Sequence, residues 1–159
     1  YTMDVSIVQD ANAAVLGKVA ADTGGSASNI KALTGVMDFN VTIPDASNYG
    51  KIVSLSWVLP DDTRNPIYFK KDPATGEYFD FEFNSETGEG AKWDESTKTL
   101  TVYVRDNGKY DARFKVHWRG DFKDGTFTDL MIEQCWIMYE SAQHVHPVIE
   151  QYYAVVVDK

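Results

Sequence analysis

The chain has 159 residues, of which 43% are hydrophobic and 25% charged. These are ordinary values for one folded domain with a sizeable core, and they exclude disordered and collagen-like classes. Its 24 acidic against 15 basic residues leave a formal charge of -9, which repels phosphate backbones and argues against nucleic acid as a partner.

No stretch has the length and apolarity of a membrane span, and "YTMDVSIVQD" at the start lacks the charged and apolar regions of a signal peptide. The strand-like sequences "YTMDVSI" and "YYAVVVDK" at the two ends suggest one module, residues 1–159, cut from a longer polypeptide that carries its targeting signals elsewhere. The first internal element is a helix over "DANAAVLGKVAAD", with Asp10 as N-cap and "TGG" as its stop, weakened by Gly17.

Everything after it alternates with period two, the mark of half-buried strands. "VMDFNVTI" places Met37, Phe39, Val41 and Ile43 on one face. "IVSLSWVLP" does the same for Val53, Leu55, Trp57 and Leu59, "YFDFEFN" for Phe79, Phe81 and Phe83, and "TLTVYVR" for Leu100, Val102 and Val104. "RFKVHW" alternates Phe114, Val116 and Trp118 with charged residues. "FTDLMIEQCWIMY" and "YYAVVVD" are apolar enough for fully buried strands. That makes at least seven strands, separated by the turns "PDASNYG", "PDDTRNP", "KDPATGE", "NSETGEG", "DNGKYD" and "KDG". The expected fold is all-β: a two-sheet antiparallel β-sandwich, immunoglobulin-like, with at most one short helix.

Cys135 has no partner for an internal disulfide and sits in an apolar run, where a buried inert thiol is expected. No G-x-S-x-G elbow or phosphate-cradling loop is present, and no histidine stands in sequence context with a nucleophile, so a non-catalytic protein is expected. Arg119-Gly120-Asp121 is a tripeptide that some cell-surface receptors read, but three letters carry little specificity. His144 and His146 project from one face of a strand and would begin a zinc site, yet the third ligand is limited to Glu140 or Glu150, so a solvated pair is expected.

The stretch "RDNGKYDA" ends a clean strand and reads in two ways. Asn, Asp and Gly together make an ordinary polar turn. Alternatively, Asp106, Asn107 and Asp111 supply oxygen ligands to calcium, with further carboxylates from Asp61, Asp62 or Asp72. The EF-hand spacing is absent, and Lys109 and Arg113 add positive charge beside the loop. Among the 4 Trp, 9 Tyr and 8 Phe, those expected on wet faces or in turns are Tyr49, Tyr68, Tyr78, Tyr103 and Tyr110. They would form a platform for a sugar or a peptide, with Tyr110 foremost.

The segments "LTGVMDFNV", "VSLSWVLP", "IYFKKDPATGEYFDFEF" and "TKTLTVYVRDNGKYDA" follow one another in the order and spacing of the choice-of-anchor U domain of bacterial surface proteins, which roughly residues 33–112 resemble. The resemblance rests on the hairpin Tyr68, Lys70, Asp72, Pro73, Thr75, Gly76 and Tyr78, and on the loop that opens at Asp106. It departs where Arg113, Phe114 and Lys115 replace further aspartates and glycines, and it ends at Lys115. It implies a secreted or surface-exposed module of a very large bacterial adhesin, related to domains of calcium-dependent adhesins that bind peptide termini. The ligand would then be a peptide or glycan on a partner cell, held by Asp106, Asp111, Tyr110, Tyr68 and Tyr103, with neighbouring domains of the same chain alongside. A structural spacer of a surface fibre and a carbohydrate-binding module are the two other readings the sequence leaves open.

Overall fold

The computed structural model describes residues 2–72, 75–106, 108, 110 and 148–159. Strands Arg113–Trp118 and Phe127–Tyr139, Cys135, the Arg119–Asp121 tripeptide and the His144/His146 pair, as read from sequence, lie outside these residues, as do Asn107 and Asp111.

The strands are β1 (Thr2–Gln9), β2 (Lys31–Ala32), β3 (Val36–Thr42), β4 (Ile52–Val58), β5 (Pro66–Lys71), β6 (Tyr78–Asp80), β7 (Gly90–Asp94), β8 (Thr99–Arg105) and β9 (Val148–Asp158). They form two antiparallel sheets, one in the order β1-β3-β9-β5-β6 with β2 also paired to β9, the other β4-β8-β7. The all-β, two-sheet antiparallel sandwich expected from the alternation is therefore what the chain builds. Among the described residues no helix is long and apolar enough to cross a membrane.

The helix α1 (Ala13–Thr23) stands where the composition places it, with a different start. Asn12, not Asp10, is the N-cap, because its side chain is the one that accepts the Val15 amide, and an N-cap must reach the free amides of the first turn. The stop is Gly24, left-handed at φ 75°, a conformation that costs a side chain and suits glycine. Val15 and Val19 pack on Val36, Phe69, Tyr78, Val155 and Val157, so the helix covers the outer face of the larger sheet.

Between the sheets lies the main core. Met37, Phe39, Val41 and Ile43 meet Val53, Leu59, Leu100, Val102 and Val104 there, the sets that the period-two alternation assigns inward. β9 departs from that simple pattern. Phe39 pairs with Gln151 and Met37 with Ala154, so three steps on β9 oppose two on β3, which is a β-bulge. Tyr153 takes φ 48° there while its amide donates to Asp38. The extra residue lets Gln151 and Ala154, an odd number apart, both face the interior. Among the described strands β1 lies at one edge, and its Met3, Val5 and Ile7 stay exposed.

β6 does not end in solvent. Its continuation leaves the larger sheet and crosses to β7: the Ala91 amide donates to the Phe81 carbonyl at 2.6 Å and the Phe83 amide to the Ala91 carbonyl at 3.1 Å. This crossing requires Gly90, which sits at φ 119° with only 2.3 Å between an added Cβ and the Glu82 carbonyl oxygen. Both the backbone angle and the space forbid a side chain. Gly90→Ala is expected to destabilise the fold by about 3 kcal/mol, measured by urea unfolding. A loss under about 1 kcal/mol would show that the two strands do not cross this closely.

Candidate functional site

The residues singled out from the sequence are dispersed. Asp106 is only 2% exposed. Its backbone amide donates to the Lys51 carbonyl and its Oδ2 accepts the Gly50 amide at 2.9 Å. The carboxylate thus fastens the turn before β4 to the end of β8, as an anionic acceptor of a backbone amide does well. Asp61 and Asp62 are exposed on a distant turn. Among the described residues no three His, Cys, Asp or Glu side chains converge as a metal site requires.

Two of the tyrosines expected on a wet platform are interior. Tyr68 is fully buried and Tyr78 nearly so. Tyr68 was expected on a wet face or in a turn, but both faces of β5 are covered. Tyr68 lies between Trp57, 5.8 Å away by ring centroids, and Phe81 at 6.2 Å. Its hydroxyl donates to Gln151 Oε1 at 2.8 Å, and burial pushes the phenol well above its ordinary value of 10.0, so it remains a donor. Tyr110 is half-buried with its ring 4.8 Å from that of Phe81, and Tyr49 also packs against the core. Tyr103 is half-buried on the opposite side of the smaller sheet, its ring edge-on to Phe83. The tyrosines therefore form no common platform, because adjacent strands turn them into different layers.

Around Tyr68 the structure gathers a buried polar knot that sequence reasoning missed. Lys70 is 4% exposed. Its Nζ donates to the Tyr110 carbonyl at 2.6 Å and to Gln151 Oε1 at 3.2 Å, and lies 4.0 Å from the centre of the Phe81 ring. Gln151 Nε2 donates to the same Tyr110 carbonyl. The loop after β8, strand β5 and strand β9 are thereby joined by charge-assisted bonds and a cation–π contact.

Next to the knot the surface opens. Where the crossing segment leaves β5, a cleft of about 300 Å³ lies among Asn65, Ile67, Asp80, Glu82, Ala91 and Trp93, with Tyr68 and Leu100 beneath. Trp93 is fixed at its edge by an indole donation to Glu95 at 2.9 Å. The Asp80 carboxyl is raised above its ordinary 3.8, first by burial and then by the Glu82 carboxylate, while Lys159 pulls it down. A fixed aromatic wall, an apolar floor and a few polar groups at the mouth are the usual makings of a small binding site. One signal in the sequence points here: Asp80 and Glu82 alternate with Phe79, Phe81 and Phe83, so two carboxylates share one side of an aromatic strand. A second hollow, about 440 Å³, lies over Lys92, Ser96, Thr101 and Tyr103 on the outer face of the smaller sheet; its neighbouring Tyr103 and Phe83 rings meet at 65°, unlike a flat stacking surface.

The chain was compared with family models, with curated proteins and with solved structures, and it matches none of them. The cleft and the knot are thus read from their own chemistry.

Two expectations follow. Tyr68→Phe should cost about 1 kcal/mol in urea unfolding, the net worth of one hydrogen bond; no loss would mean that Gln151 is held without it. Asp80 binds its proton more tightly folded than unfolded, so the folded chain loses stability as pH rises through the range just above 3.8. Asp80→Asn should therefore raise the melting temperature at pH 7 and give no gain below pH 3.8. A lower melting temperature at pH 7 would contradict the raised Asp80 carboxyl.

Proposed function

We propose that this chain is an extracellular ligand-binding module of a large bacterial surface protein, an adhesin in which the sandwich displays the cleft to a peptide or glycan on a partner cell. The observation that carries the reading is the cleft itself, an indentation with a pinned tryptophan, a closed apolar floor and carboxylates at its rim. A module that only lengthened a fibre would have no need of it. The likeness of residues 33–112 to a surface-protein domain supports the same setting. The knot beneath supports it further, since Lys70 and Gln151 stiffen the floor, and a preformed site loses less entropy when it binds.

The calcium-dependent form of this reading uses Asp106, Asn107 and Asp111. A cation there would share Asp106 with the Gly50 amide, which already occupies Oδ2.

The reading is tested by screening the purified chain on peptide and glycan arrays beside an Asn65→Trp variant. Asn65 is exposed at the mouth of the cleft, so the indole would fill the opening without entering the core. Ligands captured by the parent are expected to be lost with the variant while its melting temperature is kept. Capture that persists in the variant removes the cleft from the reading, and capture that persists in chelator removes calcium. A parent that captures nothing leaves the spacer role in its place.

A further inference from the structure

The chemistry of the cleft is lopsided. Among the described residues its lining carries two carboxylates, Asp80 and Glu82, and the rest of the wall is aromatic or aliphatic apart from the Asn65 amide and the Tyr68 hydroxyl, which Gln151 holds. Among the described residues the ammonium groups that approach it are committed or peripheral: Lys98 Nζ stands 5.9 Å from the centre of the Trp93 ring but bonds to Glu95 and to the Thr63 carbonyl, and Lys159 acts on Asp80 from the chain end. The Asp80 and Glu82 carboxylates both line the hollow and stand exposed at its mouth, where like charges repel and a positive charge between them relieves that repulsion.

Resting on the ligand-binding reading above, we propose that the cleft takes an organic cation on an apolar stem, the lysine or arginine side chain of a partner polypeptide. The stem lies over Ile67, Tyr68 and Leu100. The ammonium or guanidinium meets Asp80 and Glu82 at the rim, and the Trp93 ring offers a cation–π face beside them. A divalent metal does not suit this wall, because calcium takes six to eight oxygens and the cleft presents the side-chain oxygens of Asp80, Glu82 and Asn65 against carbon. An acidic or phosphorylated ligand meets repulsion from the same pair, and from a chain whose formal charge is -9. Charge complementarity thus selects a basic polypeptide over a nucleic acid or an anionic sugar.

The experiment titrates the whole chain at low salt with three probes: the blocked amides of lysine, arginine and norleucine, the last being lysine's stem without its charge. Binding is followed by calorimetry, and by the NMR shifts of the Trp93 indole and the Asp80 amide. The two cationic probes are expected to bind at least about tenfold more tightly than norleucine, and 0.5 M salt should narrow the gap by screening, as about 3 Å of Debye length at 1 M implies. Asp80→Asn with Glu82→Gln should abolish the preference while the variant keeps its fold by circular dichroism. Equal binding of norleucine and lysine amides at the cleft overturns the cationic ligand yet leaves a binding site. Absence of shifts at Trp93 and Asp80 with every probe overturns both this inference and the ligand-binding reading. A cation preference that survives in the double variant places the charge recognition elsewhere and overturns the inference as well.

Discussion

A lysine ammonium inside a β-sandwich is the constraint on which the rest of this interior depends. Moving such an ion out of water costs several kcal/mol even after relaxation, more than any one aliphatic contact in the core returns. Lys70 is accommodated because three separate pieces of chain deliver what it needs: the Tyr110 carbonyl from the loop after β8, Gln151 Oε1 from β9, and the face of Phe81 from the strand that follows the hairpin. Gln151 in turn receives the Tyr68 hydroxyl and donates to Tyr110. Donors and acceptors close on each other. A one-residue slip of β9 would turn Gln151 outward and strip the ammonium of an acceptor, so the knot specifies register as well as adding stability.

The bulge at Tyr153 is a consequence of the same demand. On β9, Gln151 must face Lys70, while Ala154 and Val156 must face the smaller sheet and Val155 and Val157 the helix. A regular strand cannot direct residues 151, 154 and 156 to one side. The left-handed Tyr153 and the Asp38 carboxylate that holds its amide resolve the conflict at one point. Below the bulge the strand serves the polar knot; above it, both faces are apolar and fully covered.

What was legible in the sequence follows from which residues obey a single rule. β3, β4 and β8 each have one wet and one dry face, so alternation reads them residue by residue, and the turn around Asp72 to Glu77 reads as the hairpin it is. β5 breaks the rule because α1 lies on one side of it and the smaller sheet on the other. Its run Tyr68-Phe69-Lys70 is buried on both sides, so no alternation of wet and dry marks Tyr68 as interior. β7 escaped notice because Ala91 and Trp93 are its only apolar pair. The Asp106 loop was read for its oxygen atoms, whereas the carboxylate of Asp106 serves a backbone amide fifty-six positions away in sequence, which no local pattern records. The cleft was illegible for a similar reason: its walls come from β5, β6, β7 and β8, and only the Asp80–Glu82 pair leaves a trace in one segment.

The place of the cleft, where the segment after β6 leaves the larger sheet for β7, also raises the plainest objection to a functional reading of its acids. Among the described strands β6 is an edge of the larger sheet, and charged side chains on an edge strand discourage pairing with other chains. Asp80 and Glu82 fit that role. Edge protection alone, however, gives no reason for the two acids to flank an opening walled by Trp93 and floored by Tyr68 and Leu100. Here the crossing at Gly90 brings the strand over the opening, and burial is the foremost cause of the upward shift at Asp80, with Glu82 next. Asp80 nonetheless stays exposed, and the repulsion it feels from Glu82 disfavours its charged form at neutral pH without improving the guard along the edge. Its release by a cation at the mouth gives the arrangement a physical purpose, and the floor of Tyr68, held from behind by Gln151 and Lys70, gives such a cation's stem a rigid surface to rest on.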